Sequence, residues 1–519
     1  MIKLFIDGAA VEVPEGTTVF KAAEQGGIEL PHFCFHPAFA PEGSCRLCLI
    51  QIEGSPKLEL GCSTIVREGM KVVTQSPAVR EARRGVLEFL LAEHPLDCPI
   101  CDKAGECKLQ DYSRDYGLTE SVFREFKEKR DKKVAIGEKL LLDRERCIQC
   151  TRCVRFLAEI TKSHELGVFE RGVHAEIGIL EGGPVRNGYS GNLVDLCPVG
   201  AITDTDFRFK TRPWFLSRGE SVCPHCDRGC NIYVDYQPGF PRVPGSAKVF
   251  RIRPRTNEAV NGPWICDAGR YGYVRAQNEG RSDRPFWNKD GAKTELAWDT
   301  AMAILGDKLR ALADAGRSDR VAVAATSWLT NEELFLLKKI FRDDFGAGRI
   351  VLCDPQPGEG DDFLHRPDRT PNARGARELG FDPAPPTLEA LARGTEVLIL
   401  FGPHIAERFA ADELCAALRG IAVKVLVTPH LTGLEGLMDG VFASATPAEK
   451  DGSFTNFEGR VQPFAAAARP CPDVRSELAI LAALAGSLGL RPDYYGRLMT
   501  AAAVRRELAK DIPFFGGAA

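Results

Sequence analysis

The sequence predicts a multidomain α+β protein, and three observations lead to this fold class. The chain has 519 residues, of which 44% are hydrophobic and 27% charged, and this length suits several domains rather than one. Fifteen of its 18 cysteines lie before residue 267, in four compact groups. Beyond about residue 290, hydrophobic strand patterns alternate with helical ones, which indicates an α/β domain. We therefore expect the N-terminal half of the chain to fold around its cysteine groups and the C-terminal half around a β-sheet.

The charge balance and the hydrophobic pattern exclude several classes of protein. A net charge of -4 and a pI near 6.2 give no bulk electrostatic reason to bind nucleic acid or an anionic bilayer. Residues 1–8 are too short an apolar stretch for a signal peptide, and residues 478–490 fall short of a membrane span. We therefore expect a cytoplasmic chain without direct membrane insertion, whose cysteines serve metal or redox chemistry rather than disulfides.

Residues 1–80 predict a small mixed sheet that carries the first cysteine group. The segments MIKLFIDG and AVEVP are typical of a hairpin that turns at Asp7-Gly8, and residues 17–25 of a short helix ended by two glycines. The spacing C-x10-C-x2-C-x13-C follows, and a glycine in its loop would let backbone N–H groups turn toward bound sulfur. We call this group the first site: Cys34, Cys45, Cys48 and Cys62.

The second group has only three cysteines, and a histidine completes it. Residues 77–93 have apolar residues at helical spacing, which predicts a packed helix that leads into the spacing H-x3-C-x2-C-x5-C. A lone histidine is usually an ordinary surface or core residue, but this one supplies the ligand that the three cysteines lack. The second site therefore comprises His94, Cys98, Cys101 and Cys107.

The third and fourth groups each combine a compact run with one distant cysteine. The third is half of a bacterial two-cluster ferredoxin pattern, because Leu157 occupies the fourth place of its first run. Ligands for only one of the two clusters of that pattern are present. This counts against an iron hydrogenase, which resembles the two-cluster form. The third site comprises Cys147, Cys150, Cys153 and Cys197, and the fourth site Cys223, Cys226, Cys230 and Cys266.

The spacing favours iron–sulfur clusters over zinc. Structural zinc sites are the alternative, since tetrahedral zinc sites of four cysteines, or of three cysteines and a histidine, are common. Such sites usually pair two CxxC motifs across a loop, whereas each group here joins a compact run to a distant residue. Iron–sulfur clusters are bound by patterns of this second kind.

The sequence around these ligands resembles a known family. CIQCTRCVRF at 147–156 and SGNLVDLCPVGA at 190–201 resemble the large iron–sulfur subunit (the G subunit, 75 kDa type) of respiratory complex I, the proton-pumping NADH:quinone oxidoreductase. The resemblance covers residues 1 to about 280 with high specificity. It implies one [2Fe–2S] cluster at the first site and three [4Fe–4S] clusters at the others, with the fourth similar to a domain of molybdopterin oxidoreductases.

The resemblance also implies five domains. These are a [2Fe–2S] ferredoxin-like β-grasp domain (1–78), a histidine-ligated [4Fe–4S] domain (79–118), a [4Fe–4S] ferredoxin-like domain (119–215), a molybdopterin-oxidoreductase-type [4Fe–4S] domain (216–275) and a truncated molybdopterin-oxidoreductase-like α/β domain (276–519). In the last domain we predict helices at 298–313 and 332–345, the second capped by Asn331, and strands at 320–325, 349–353, 397–401 and 423–428.

We expect no molybdenum cofactor, FMN or NAD on this chain. Ala268 stands where molybdenum members of the resembled fold have a lysine, and Gly358-x-Gly360 lacks the third glycine of a dinucleotide motif. No catalytic residue is expected. Three cysteines have no assigned role: Cys353, Cys415 and Cys471.

The resemblance implies an electron-transfer subunit. Electrons would come from an FMN/NADH-binding subunit, pass the first, third and second sites, and leave toward other iron–sulfur subunits of the peripheral arm of complex I. The chain would lie on the cytoplasmic side of the bacterial inner membrane, held through its partners. The alternatives are a diaphorase subunit of an NAD-reducing hydrogenase, a molybdenum or tungsten formate dehydrogenase, and a zinc scaffold.

Overall fold

The chain forms two compact units, Met1–Phe215 and Leu216–Ala519. The computed structural model describes residues 1–170, 172–239, 248–278, 280–289, 292–382, 387–402, 405–431, 433–468 and 471–518. Among the helices in these ranges, none has both the length and the apolar character needed to cross a membrane.

The first unit consists of small sheets joined by short helices. Its strands are β1 (Ile2–Ile6), β2 (Ala9–Val13), β3 (Leu49–Ile52), β4 (Leu58–Leu60), β5 (Lys71–Val73), β6 (Val134–Ala135), β7 (Leu140–Leu142), β8 (Leu166–Phe169), β9 (Glu176–Ile179) and β10 (Ile202–Asp204). Its helices are α1 (Val19–Gln25), α2 (Pro77–Glu93), α3 (Lys108–Tyr116), α4 (Arg152–Arg155) and α5 (Asn192–Leu196).

The first five strands form one mixed sheet in the order β2-β1-β5-β3-β4, on which α1 packs. The predicted β1–β2 hairpin is present, with Ile6 opposite Ala9 and a two-residue turn whose φ values are 48° at Asp7 and 86° at Gly8. Positive φ at both positions is what such a turn requires. Strand β1 then pairs in parallel with β5, which closes the sheet over a continuous apolar core.

The second unit begins with a three-stranded antiparallel sheet and continues as a layered α/β domain. Its strands are β11 (Ser217–Val222), β12 (Asn231–Gln237), β13 (Lys248–Pro254), β14 (Phe286–Lys289), β15 (Ala292–Glu295), β16 (Val321–Ala325), β17 (Arg349–Leu352), β18 (Val397–Phe401), β19 (Val423–Thr428), β20 (Gly440–Ala443), β21 (Gly452–Thr455) and β22 (Val461–Phe464). Its helices are α6 (Asp267–Asn278), α7 (Trp298–Asp314), α8 (Asn331–Lys338), α9 (Ala373–Glu378), α10 (Leu388–Ala392), α11 (Ile405–Arg408), α12 (Ala411–Leu418), α13 (Glu477–Ser487), α14 (Pro492–Tyr495) and α15 (Ala501–Asp511).

Seven strands of this unit form one sheet in the order β15-β14-β20-β19-β18-β16-β17. Its last five strands run parallel, and β16 and β18 are buried along their whole length because separate apolar cores cover the two faces of the sheet. The predicted strands at 397–401 and 423–428 coincide with β18 and β19. A continuous apolar run such as that of β18 is typical of parallel strands that are covered on both faces.

The predicted helix cap at Asn331 is wrong by one residue. Thr330 is the N-cap: its hydroxyl accepts from the Glu333 backbone N–H, and the Glu333 carboxylate accepts from the Thr330 N–H. Asn331 is already helical, and its side-chain amide donates to the hydroxyls of Ser453 and Thr455, both at 3.0 Å. Asn331 therefore ties α8 to strand β21 and does not cap the helix.

A buried ion network lies beside the same helix. The Lys450 ammonium donates to Glu333 at 2.9 Å and to Glu477 at 2.7 Å, and all three side chains are at most 6% exposed. Burial raises the pKa of Glu333 to about 7, against the opposing charge of Lys450. One cation thus compensates two carboxylates in the interior of the α/β layer.

Candidate metal centres

The first site is held by the loop between α1 and β3 and by the residues after β4. Its four thiols form two close pairs, with hydrogen bonds between Cys34 and Cys45 and between Cys48 and Cys62. The hydrogen bond from Cys45 lowers the pKa of Cys34 to about 5, while the same bond raises the pKa of Cys45. The backbone N–H of Phe33 points at Cys45 Sγ at 3.4 Å. Two pairs of thiols are what a two-iron cluster needs, with two ligands for each iron.

The second site lies at the end of α2. His94 ends that helix, Cys98 begins a short 3-10 turn and Cys107 caps α3, so three separate elements present the side chains. All four predicted ligands line one cavity of about 290 Å³. Burial lowers the pKa of His94 to about 4, so its imidazole is neutral at pH 7. Its Nδ1 is buried and has no hydrogen-bond partner among the described residues. A neutral, unpartnered imidazole nitrogen in this cavity fits a metal ligand.

The third site surrounds the start of α4 and the end of α5. Its loop passes through positive φ at Gln149 (52°) and Thr151 (58°), which turns the chain tightly between the cysteines. All four predicted ligands line a small cavity of about 20 Å³. The backbone N–H of Ile202 donates to Cys197 Sγ at 3.5 Å. Amide donors to sulfur are the contacts that stabilise a reduced cluster.

The fourth site belongs to the second unit and is buried at all four cysteines. Its compact run lies between β11 and β12, and the backbone N–H of Gly269 points at Cys266 Sγ at 3.4 Å. The β21–β22 hairpin covers this run: Gln462 Nε2 donates to the Gly229 carbonyl at 2.9 Å, and the Phe457 N–H to the Asp227 carbonyl. The FEGR stretch at 457–460 thus lies against the ligand loop.

The chemistry of these thiols fits ligands of a cation. All eighteen cysteines are free, so disulfides use none of them. Burial raises the pKa of Cys147 to about 11 and the pKa of Cys150 to about 12, so both stay protonated until a positively charged centre displaces the protons. Within the described ranges, no three His, Cys, Asp or Glu side chains converge to hold a single metal ion. A [4Fe–4S] cluster takes one protein ligand for each iron, so its ligands need not converge on one point.

Three residues near these sites were missed in the sequence. Arg146 lines the second cavity and Arg152 the third, and an alanine Cβ at position 200 would lie 2.1 Å from Cys101 Sγ. The loop after Cys197 therefore packs directly against a ligand of the second site. Their positions in the sequence could have indicated these contacts. Both arginines are next to predicted ligands, and Gly200 lies three residues after Cys197.

A large cavity of about 1040 Å³ lies in the second unit. It extends from His225 beside the fourth site to Thr326, Gly402 and His430, which follow strands β16, β18 and β19. The carboxyl ends of parallel strands are where α/β folds commonly bind ligands. Ala268 lines this cavity. The assignment of this unit to the molybdopterin-oxidoreductase fold stays a prediction.

Four protein-family models match the chain. They are described as a 2Fe-2S iron-sulfur cluster binding domain (residues 1–77), an NADH-ubiquinone oxidoreductase-G iron-sulfur binding region (83–121), an NADH-quinone oxidoreductase subunit 3 ferredoxin-like domain (137–203) and an NADH-ubiquinone oxidoreductase NDSU1/NuoG-like 4Fe-4S domain (220–274). Each matched range contains one complete predicted ligand set. The matches and the fold define the class of the protein. It is a multidomain iron–sulfur protein with a [2Fe–2S] domain and [4Fe–4S] domains.

Curated relatives narrow this class to one family. The G subunit of NADH-quinone oxidoreductase from Streptomyces coelicolor is 40% identical over 66% of this chain and 39% of its own length. The corresponding proteins of Rickettsia conorii (39% identity) and Mycobacterium bovis (38%) match over 66% and 70% of this chain and 49% and 44% of theirs. The predicted resemblance is confirmed: this chain is a homologue of the G subunit of NADH-quinone oxidoreductase. It spans less than half the length of these relatives.

One solved structure also matches part of the chain. A chain of an NAD+-reducing [NiFe]-hydrogenase in the H2-reduced state is 32% identical. The match covers 41% of this chain and 91% of that one, with a TM-score of 0.38. That score is too low to support a shared overall fold.

We expect His94→Cys to keep the second cluster and to lower its midpoint potential. A thiolate adds a negative charge where the imidazole is neutral, and this disfavours the reduced cluster by roughly 60 mV, a tenfold change in the equilibrium constant of a one-electron couple. EPR-monitored redox titration measures the shift. His174→Ala is the control, because that imidazole is exposed and pairs with Glu128. An unchanged potential in His94→Cys would contradict ligation by His94.

Proposed function

We propose that this chain is an electron-transfer subunit of a proton-pumping NADH:quinone oxidoreductase, and that it holds one [2Fe–2S] and three [4Fe–4S] clusters. The observation that carries the proposal is that complete predicted ligand sets line the cavities of the second and third sites. The matches to G subunits of this enzyme support the same assignment.

The chain's own residues position the clusters and adjust their environment. When bound, the clusters supply one-electron carriers. The amide groups of Phe33, Ile202 and Gly269 donate to ligand sulfurs, which favours the reduced state. Burial of all four cysteines keeps water away from the fourth site. This chain would neither transfer hydride nor bind quinone.

The partners follow from the same proposal. An FMN/NADH-binding subunit would deliver electrons, and other iron–sulfur subunits of the peripheral arm would receive them. The chain would lie on the cytoplasmic side of the bacterial inner membrane, attached through these partners. Co-purification with an FMN-containing subunit, followed by mass spectrometry, tests this placement.

A second candidate is a molybdenum or tungsten enzyme of the formate dehydrogenase type. The cavity of about 1040 Å³ beside the fourth site is the observation that favours it. Ala268, which stands at the position of a lysine in the resembled molybdenum proteins, counts against it. Metal analysis separates the two candidates. Molybdenum or tungsten at one atom per chain would contradict our proposal and support the second candidate.

We expect the purified chain to contain about 14 iron atoms with matching labile sulfide, from one two-iron and three four-iron clusters. Iron and sulfide analysis combined with EPR of the reduced protein checks the number. Zinc is the control metal. A colourless, EPR-silent chain with stoichiometric zinc would overturn the proposed function.

A further inference from the structure

Arg152 lies between the first and the third site. It is the first residue of α4, within the compact cysteine run of the third site, and it lines the third cavity. Its guanidinium reaches back across the unit: Nη2 donates to the Phe35 carbonyl, next to Cys34 in the chain. Nη1 donates to the Leu196 carbonyl at 3.4 Å, the residue before Cys197. One side chain thus joins a ligand loop of the first site to both halves of the third.

The charge of Arg152 acts on both sites. Burial lowers the pKa of Arg152, and negative charge at Cys150, Cys34, Cys45 and Cys197 opposes this shift. The neighbouring Arg155 strengthens the same junction, since it donates to the Cys34 carbonyl at 3.2 Å. The Nε of Arg152 is buried and has no partner among the described residues.

Arg146 occupies the corresponding place between the third and the second site. Its backbone is bonded directly to Cys147, and its side chain, 3% exposed, lines the second cavity. Nε and Nη2 donate to Asp97, the residue before Cys98, at 3.0 and 2.8 Å. Its charge acts on Cys101 and His94, and Nη1 is buried without a partner in the described part of the chain.

The two arginines therefore share an arrangement. Each directly precedes a cysteine of the third site in the chain, and each extends its guanidinium toward a different neighbouring site. In the ranges that the structure describes, acidic side chains pair with only one of them: Asp97 and Asp143 contact Arg146, at 2.8 and 3.3 Å. A buried cation acts strongly on nearby charge because the local dielectric constant is far below that of water.

We propose that Arg152 and Arg146 are positioning residues that couple the three sites of the first unit in the order first, third, second, each raising the reduction potential of the sites that its guanidinium faces. This inference rests on the proposed function. Arg152 acts on the first and third sites, and Arg146 acts chiefly on the second. Each keeps an unpartnered N–H group buried beside these sites, and a hydrogen bond from such a group to a ligand sulfur stabilises the reduced state.

The test is redox titration of the full, cluster-loaded chain, followed by EPR of each cluster. In Arg152→Gln we expect the reduction equilibrium constants of the first and third clusters to fall about tenfold, which is 59 mV for a one-electron couple, with the second unchanged. In Arg146→Gln we expect the constant of the second cluster to fall about tenfold and that of the first to stay unchanged. Arg186→Gln, at an exposed position of the same unit, should shift none of them.

Lysine variants separate charge from folding. Arg152→Lys and Arg146→Lys keep the cation but lose the fork of donors, so their reduction equilibrium constants should stay within about threefold of those of the parent chain. An iron-complete lysine variant with a full tenfold loss would overturn the proposal, as would glutamine variants that shift all three clusters equally or shift none. A parent chain that binds zinc in place of iron would instead overturn the proposed function itself.

Discussion

Replacing Gly200 by alanine is expected to remove the cluster from the second site. A Cβ at this position would lie 2.1 Å from Cys101 Sγ and 3.3 Å from the Lys103 side chain, so the ligand or the loop must move. The loop cannot retreat freely, because Cys197 anchors it three residues earlier. Overpacking of this kind costs about 1–3 kcal/mol, and here it falls on a predicted ligand. Iron analysis should show the loss of about four iron atoms per chain.

Gly188→Ala is the matched control for this experiment. Gly188 lies in the same unit, and its φ is outside the left-handed region. Apart from its two chain neighbours, no described residue has a heavy atom within 4 Å of the position that a Cβ would take there. That variant should keep the iron content of the parent chain. If Gly200→Ala also kept full iron and an unchanged EPR spectrum, the close packing of the third-site loop on Cys101 would be contradicted.

Lys450→Met is expected to destabilise the fold by about 3–5 kcal/mol near pH 8. The substitution leaves Glu333 and Glu477 buried without their shared cation. The pKa of Glu333 is already raised to about 7 by burial, and it should rise further without Lys450. Urea unfolding followed by fluorescence measures the change in the free energy of unfolding.

The pH dependence of this variant has a definite sign. A carboxyl whose pKa is higher in the folded than in the unfolded state favours folding at low pH, and that stability is lost as the pH rises through the folded pKa. The deficit of Lys450→Met should therefore be smaller at pH 5.5 than at pH 8. Lys510→Met is the control: the Lys510 side chain is 72% exposed beside Glu507, so its loss should cost less than about 1 kcal/mol. A deficit that grew toward low pH would contradict this account.

The parts of the fold that follow local rules could be predicted from the sequence. The β1–β2 hairpin turns at Asp7-Gly8 because both residues accept positive φ. Strands β18 and β19 match their predicted bounds, because β18 is an uninterrupted apolar run and β19 is apolar apart from Lys424 and Thr428. The ligand sets could be proposed for a similar reason, since most members of each set lie within a few residues of one another.

The contacts between distant segments could not be predicted in this way. Thr330 and Asn331 are both good capping residues, and the backbone conformation determines which of them caps the helix. Thr330 is extended, with ψ of 164°, whereas the Asn331 side chain donates to Ser453 in β21. The Arg152 contact to Phe35 joins residues 117 positions apart, so no local sequence pattern predicts it. The Lys450 network likewise depends on three segments that meet only in the folded second unit.

The hairpin over the fourth site has a consequence for when each cluster site can be assembled during synthesis of the chain. The sheet that carries the first site ends at β5, so all its strands and ligands have been made once residue 73 has left the ribosome. The fourth site gathers its cysteines by residue 266, but β21–β22 covers its ligand loop only after residue 464 has been added. Throughout that interval the loop with Cys223, Cys226 and Cys230 would lack its cover. Delivery of iron to the fourth site during synthesis would thus have an open period that ends only when this hairpin forms.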